Sequence, residues 1–250
     1  MMQRFKNKIA MVTGASGGLG RAISFQLSSE GATLILLGRR QEILAELSME
    51  IQEAGGEAIF YPLNLTDWSK VKETVEDIKG RITQLDLLVN NAGKELFIPF
   101  SATSLKATED LFAINVVAPI NLTRQVLPKI PAQGSIVNIA SVVAVVGSSA
   151  LSIYSATKGS LISLTRSLAL ELAQRRIRVN AIAPGTIKTS MTERMFRKLT
   201  EEQVKKIEEM YPLGFGTPED VAFAVAYLGS YQARWITGQT LIVDGGYSIG

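Results

Sequence analysis

Strand-like and helix-like stretches alternate along this chain from one end to the other, and that alternation constrains its fold more than any other feature. Lys8–Thr13 (KIAMVT) reads as a buried strand. Gly18–Glu30 has helical apolar spacing through Leu19, Ile23 and Leu27. Thr33–Leu37 is a second strand, and Gln41–Ala54 a second helix stopped by Gly55 and Gly56. Ala58–Tyr61 is a strand, Trp68–Gly80 a helix opened by Thr66 or Asp67, and Leu85–Asn90 a strand. A long helical region follows, Leu105–Leu127, then strand Ser135–Ala140, helix Ile153–Arg175 and strand Arg178–Ala183. Thr217-Pro218-Glu219-Asp220 opens a last helix, with a cap, a proline in the first turn and acids on the positive helix end. Leu241–Val243 is a short final strand. Strands joined by helical crossovers lie parallel and are covered on both faces, so the expected fold is α/β, a doubly wound parallel sheet of about seven strands. Its 250 residues suit one domain over 1–250, since no linker or repeat interrupts the pattern.

In such sheets ligands bind beyond the carboxyl ends of the strands. The first strand runs into Thr13-Gly14-Ala15-Ser16-Gly17-Gly18-Leu19-Gly20 and then a helix. Glycines let the backbone turn tightly against a pyrophosphate, and free N–H groups at the helix start attract it. The spacing is G-x-x-x-G-x-G rather than G-x-G-x-x-G, and a plain structural turn is the alternative. Gly14-Ala15-Ser16-Gly17-Gly18 also matches the G-x-S-x-G elbow of hydrolases. That chemistry needs a histidine base, and the chain has no histidine. It has no cysteine either, which removes thiolate metal sites, disulfides and a thiol nucleophile. No metal site is expected.

The second strand ends in Leu37-Gly38-Arg39-Arg40, and no acid follows until Glu42. An NAD site typically places Asp or Glu there for the ribose 2′-hydroxyl. Arg39 and Arg40 instead put two cations at a helix start, where the dipole disfavours them. A 2′-phosphate explains them, so NADP(H) is the expected cofactor; a solvated surface pair is the alternative.

Tyr154-Ser155-Ala156-Thr157-Lys158 lies near a helix start, with Tyr154 and Lys158 on one face. A tyrosine of ordinary pKa, ~10, is a poor base at neutral pH. An ammonium ~5 Å away at an effective dielectric of ~20 favours the phenolate by ~3 kcal/mol, or ~2 pKa units. Such a pair performs acid–base chemistry without histidine. A Tyr/Lys pair on a helix surface is the bland reading.

Thr13–Gly20, Asn90-Asn91-Ala92-Gly93, Asn115, Ser141, Tyr154/Lys158 and Pro184-Gly185 occur in this order, followed by Ile236-Thr237-Gly238-Gln239 and Asp244-Gly245-Gly246. In these motifs, over nearly its whole length, the chain resembles the short-chain dehydrogenase/reductases, whose sheet is of the Rossmann type. The resemblance implies roles. Tyr154 would protonate the carbonyl oxygen, or deprotonate the alcohol in reverse. Lys158 would lower its pKa and hold the nicotinamide ribose, Ser141 would bind the substrate oxygen, and Asn115 would distort its helix and hold a proton-relaying water. Gly14, Ser16, Gly18, Leu19, Gly20, Arg39, Arg40, Asn64, Leu65, Asn91, Ala92, Gly93, Pro184, Gly185, Ile187 and Thr189 would line the cofactor. Two positions depart from the family pattern: Asn64 stands where an Asp is common near the adenine, and Phe215 where relatives carry arginine.

The general pattern is most similar to bacterial 3-oxoacyl-acyl-carrier-protein reductases. That likeness implies a 3-oxoacyl thioester substrate and the acyl carrier protein as partner. Arg175 matches a carrier-docking cation, but Ala132 stands where another is common. Steroid, sugar or xenobiotic ketones are the alternative small-molecule carbonyl or alcohol substrates. A non-catalytic cofactor-binding sensor or scaffold is a second class. Lys94, Glu95, Val142–Leu151 and Ser190–Pro212 are expected to line the substrate pocket. Residues 190–212 form a candidate lid, with Met191, Met195, Phe196 and Leu199 inward and Arg194, Arg197 and Lys198 outward, or else an ordinary amphipathic surface helix. A net charge of +3 with scattered cations gives no nucleic-acid face, and no apolar run reaches the ~20 residues of a membrane helix. A cytoplasmic homotetramer or homodimer is expected. The run Leu161, Leu164, Leu168, Leu172 would face a partner subunit or the chain's own sheet.

Overall fold

The computed structural model describes residues 3–189, 192–193, 196–197 and 199–250. Seven strands form a single sheet in the order β3-β2-β1-β4-β5-β6-β7. They are β1 (Lys8–Thr13), β2 (Ala32–Gly38), β3 (Glu57–Pro62), β4 (Leu87–Asn90), β5 (Ser135–Ile139), β6 (Arg178–Pro184) and β7 (Thr240–Val243). Every neighbouring pair is parallel.

Side chains alternate across each strand, so each face collects its own apolar set. Ala10 and Val12 of β1 and Leu34 and Leu36 of β2 face one layer, with α1 (Gly18–Ser29) and α2 (Gln41–Glu53). Met11, Ile35 and Leu37 face the other, with α3 (Trp68–Arg81). The remaining helices are α4 (Leu105–Phe112), α5 (Ala118–Val126), α6 (Ser152–Leu172), α7 (Glu201–Glu208) and α8 (Pro218–Gly229). Val221 and Val225 of α8 join the first layer, and Leu122, Val126 and Leu172 the second. Each such fully buried Leu, Ile or Val contributes about 1.5–3 kcal/mol relative to exposure. Leu161 and Leu172 are buried and Leu168 packs against the second layer, so that leucine run serves mainly the chain's own core. Thr217 and Asp220 open α8 as the sequence implied: the Thr217 N–H donates to Asp220 Oδ2 at 2.7 Å, and Pro218 is the first helical residue.

One predicted element is broken. The helical region expected over Leu105–Leu127 is two α-helices joined by a π-helical turn, Ala113–Val117, centred on Asn115. The Ala118 N–H donates to the Ala113 carbonyl across the wider turn. A strand expected from Leu85 starts at Leu87; the Leu85 N–H donates to Lys129 O, outside the sheet.

Strand order reverses between β1 and β4, since β1 runs on to β2 and β4 to β5. The chain leaving these two strands opens a crevice at their carboxyl ends. Thr13 ties its walls together. Its hydroxyl accepts from the N–H groups of Asn91 and Ala92, both at 2.9 Å, and donates to Val89 O at 3.2 Å.

Candidate active site

The crevice is lined first by the glycine loop. Gly14 has φ +65°, and a Cβ there would lie 2.9 Å from Ala92 Cα, so the loop packs directly on the turn after β4. At Gly20 a Cβ would lie 2.2 Å from Gly14 O; only glycine lets α1 start under the loop. No side chain caps α1, and its first turn carries no acid. Its N–H groups and the positive end of its dipole are therefore available to an anion.

Beyond the loop lie Arg39 and Arg40, both exposed. The Arg40 guanidinium donates to the Ser16 carbonyl, which joins the start of α2 to the loop. Arg39 makes no ion pair among the described residues. Asn64 is exposed; its Oδ1 accepts from the Thr66 N–H and hydroxyl at 3.3 and 3.0 Å. Leu65 borders the crevice while its own side chain is buried.

At the other end sit Ser141, Tyr154 and Lys158. Ser141 is an extended residue leaving β5, just before a 3-10 turn at Val142–Ala144. The Ser155 hydroxyl donates to Val143 O, which fastens the first turn of α6 to that turn. Lys158 is buried, and its Nζ donates to Ile139 O at 2.8 Å. It stands 5.8 Å from the centre of the Tyr154 ring. Asn115 is fully buried; its Nδ2 donates to Lys94 O at 2.9 Å and Thr157 Oγ1 at 3.0 Å, and its Oδ1 accepts from the Lys94 N–H at 2.8 Å. Pro184, Gly185, Ile187 and Thr189 close the crevice after β6; a Cβ on Gly18 would touch Thr189 at 3.5 Å.

One cavity of about 1040 Å³ runs from the glycine loop, Arg39 and Arg40 to Ser141, Tyr154 and Lys158; Asn115 is not among its lining residues. Small-molecule sites commonly span ~300–1000 Å³, so this one is large enough to admit a dinucleotide. The donors fit such a group: helix N–H groups for a pyrophosphate, guanidinium groups outside, and a Tyr/Lys/Ser set at the far end.

The family model described as enoyl-(acyl carrier protein) reductase matches residues 14–248. The chain is 38% identical over 253 residues to the 3-oxoacyl-[acyl-carrier-protein] reductase FabG of Thermotoga maritima, covering 98% of this chain and all of that one. It is 39% identical to the FabG of Aquifex aeolicus, over 97% and 98% of the two chains. A short-chain dehydrogenase/reductase of Brucella melitensis superposes with a TM-score of 0.93 over 100% of both chains at 31% identity.

The chain is a short-chain dehydrogenase/reductase.

As a member of that family it is an oxidoreductase that uses a nicotinamide cofactor. The family model and these relatives are all reductases and differ in substrate, enoyl for the family model and 3-oxoacyl for the relatives. The electrostatics of this dehydrogenase/reductase differ from the expectation for its tyrosine. The Tyr154 phenol is held above its ordinary pKa, by burial first and then by the Glu95 carboxylate; the Ser141 hydroxyl opposes this by hydrogen bonding. Burial brings Lys158 itself down to about 8, against a smaller raising effect of Glu95, and its ammonium is turned to the Ile139 carbonyl.

Several residues lining the cavity of this short-chain dehydrogenase/reductase escaped the sequence reading. Trp68, at the first turn of α3, borders the Arg39 end. Tyr247 comes from the chain end and stacks on Tyr211 at 4.6 Å between ring centres. Only its place beside the Asp244-Gly245-Gly246 turn hinted at that. Of the expected apolar wall, Val142 and Val143 line the cavity, but Val145 is exposed. Phe215, at the position where the family pattern commonly has arginine, packs against Phe196 and Tyr211, with ring centres 5.2 and 5.3 Å away. Ser190, Met191, Arg194, Met195 and Lys198 of the lid segment lie outside the described residues. Within 200–212, α7 carries a capping box on Thr200 and Gln203, and Ile207, Met210 and Tyr211 line the cavity. Arg175 donates to two backbone carbonyls, Leu127 O at 3.1 Å and Ile130 O at 3.0 Å. No metal-binding group of His, Cys, Asp or Glu and no membrane-spanning helix occurs among the described residues.

Proposed function

We propose that this enzyme transfers hydride between NADP(H) and a carbonyl or secondary alcohol carbon, with Tyr154 as the general acid and base. The observation that carries the reading is one cavity that receives the glycine loop, Arg39 and Arg40 at one end and Ser141, Tyr154 and Lys158 at the other. The bound nicotinamide would supply the hydride. Helix α1 and the glycine loop would hold the pyrophosphate, and Arg39 and Arg40 the 2′-phosphate. Asn64 and Leu65 would border the adenine, Asn91 to Gly93 the ribose, and Pro184, Gly185, Ile187 and Thr189 the nicotinamide.

Ser141 would donate to the substrate carbonyl oxygen and orient it toward Tyr154. The phenol proton moves to that oxygen as the alcohol forms. A phenol held protonated by burial and by Glu95 is in the form that reduction needs. Lys158, turned toward the ribose, would stabilise the phenolate left behind. Asn115 would hold the backbone carrying the ribose end of the site in place.

A 3-oxoacyl thioester is the first substrate class to test, since the relatives cited above carry that activity in their names. The carrier protein itself has less support, because Arg175 is partly committed to backbone carbonyls and position 132 is alanine. Cytoplasmic location and assembly into dimers or tetramers complete the reading; Trp235 is 96% exposed, and Leu241 and Ile242 of the edge strand β7 are each 38% exposed, apolar side chains suited to a second copy. The experiment follows NADPH absorbance with acetoacetyl thioesters and a panel of ketones, with Tyr154→Phe as control. Oxidation that persists unchanged in the variant rejects Tyr154 as the acid. Binding of NADPH with no turnover of any carbonyl favours a cofactor-binding sensor.

A further inference from the structure

Glu95 has no counterpart in the roles assigned above. It follows Lys94, whose peptide Asn115 holds at both its N–H and its C=O, so the backbone beside it is fixed. Its side chain is partly buried and lines the same cavity as Ser141, Tyr154 and Lys158. It receives no hydrogen bond and forms no ion pair among the described residues; its electrostatic neighbours are Lys158 and Tyr154. The same cavity also carries apolar side chains, among them Phe97, Val142, Val143, Leu151 and Met210.

A carboxylate taken partly out of water without donors is unfavourable, and burial accordingly holds the Glu95 pKa up while the Lys158 charge works against this. The cost is recovered if a bound molecule supplies the missing donor. An ionised carboxylate only accepts hydrogen bonds, so the partner group must be a donor, and in a small carbonyl compound the donors next to the ketone are hydroxyl and amine groups. An acceptor such as a thioester carbonyl, or an anion, would be repelled.

We propose that Glu95 is a specificity-determining residue, accepting a hydrogen bond from a hydroxyl or protonated amine that the substrate carries beside its reacting carbonyl. The inference rests on the reading that this cavity reduces carbonyls. It names the substrate class as hydroxy or amino ketones, in preference to unsubstituted 3-oxoacyl chains, whose groups flanking the ketone are methylenes and an acceptor carbonyl.

The test uses the full chain and three matched ketones: 2-butanone, 3-hydroxy-2-butanone and 3-amino-2-butanone, with acetoacetyl thioester alongside. Two readouts run in parallel: kcat/KM from NADPH absorbance, and binding by saturation-transfer NMR with and without NADPH. The wild type is expected to favour the hydroxy or amino ketone over 2-butanone by about 10- to 100-fold, the range for a hydrogen bond to a charged group. Glu95→Leu should bring that ratio close to one. Glu95→Gln, nearly isosteric, should lose the preference for the amine while keeping part of that for the hydroxyl, and it serves if the leucine variant does not fold. A ratio near one in the wild type, or one that survives in both variants, overturns the proposal. Absence of turnover with every carbonyl would fail the reductase reading alone, because the NMR preference and its loss on substitution still report on Glu95.

Discussion

Asn115 grips the Lys94 peptide from both sides, its Oδ1 accepting from the N–H at 2.8 Å and its Nδ2 donating to the C=O at 2.9 Å. A third bond runs from Nδ2 to Thr157 Oγ1 at 3.0 Å, and the Thr157 hydroxyl donates to Tyr154 O at 2.7 Å. The π-turn that carries Asn115 is thereby joined to the turn after β4 and to the first turn of α6. Asn115→Ala removes all three bonds at a fully buried site and leaves the Lys94 N–H and C=O without that partner. We expect a loss of about 2–4 kcal/mol, read from the urea midpoint, with kcat falling as well. Stability and kcat both unchanged would show that the turn is held by other contacts.

Gly93 tests how closely this machinery is packed. A Cβ there would lie 3.3 Å from Lys158 Nζ and 3.1 Å from Asn115 Oδ1. Gly93→Ala should therefore displace the ammonium and lower kcat/KM about tenfold, with a melting temperature close to wild type. Gly20→Ala is different in kind, because its Cβ would meet Gly14 O at 2.2 Å. NADPH binding followed by fluorescence should be lost in that variant.

Lys158 supplies a pH dependence. Its pKa in the folded chain is lowered to about 8 from 10.5, by burial first, with Glu95 opposing. The unfolded chain therefore binds more protons between pH 8 and 10.5, and this group's contribution to stability rises with pH across that window. Below pH 8 the cost of the buried ammonium is fully present. Lys158→Met should raise the melting temperature at pH 7, by roughly 2–4 °C for each kcal/mol relieved, while lowering kcat/KM about 100-fold or more. In the wild type, NADPH affinity should fall as pH passes 8, where Lys158, facing Glu95 and Tyr154, loses its proton. A flat binding profile from pH 6.5 to 9.5 would count against a ribose contact by this ammonium.

Cofactor choice is tested at Arg39, which carries no ion pair among the described residues. Arg39→Ala should raise the KM for NADPH about tenfold and leave that for NADH nearly unchanged, as loss of one phosphate contact predicts. Arg40→Ala should weaken both, because Arg40 also holds the Ser16 carbonyl of the loop. Equal effects of Arg39→Ala on the two cofactors would remove the 2′-phosphate assignment.

Much of this protein was legible in its residues because the signals are local. Apolar runs fix strands, glycine at positions such as Gly14 and Gly20 fixes a turn that no side chain permits, and a four-residue spacing puts Tyr154 and Lys158 on one helix face. Even Asn115 announced a helix defect, since a mid-helix asparagine competes for backbone hydrogen bonds. The residues that were missed reach the cavity from elsewhere. Trp68 arrives on α3 and Tyr247 from the far end of the chain, and no short-range pattern marks either as facing a crevice between β1 and β4.

The sequence by itself determined the order of strands and helices, the glycine turn and the set of side chains able to carry the chemistry, because each depends on neighbours a few residues away. Tertiary structure alone decided the proton affinities of that set. Burial pushes the phenol up and the amine down, and the approach of Glu95, sixty-odd positions from Lys158 in the chain, adds to the first shift and opposes the second. Desolvation and long-range charge depend on what folding brings alongside, and no spacing in the chain encodes them.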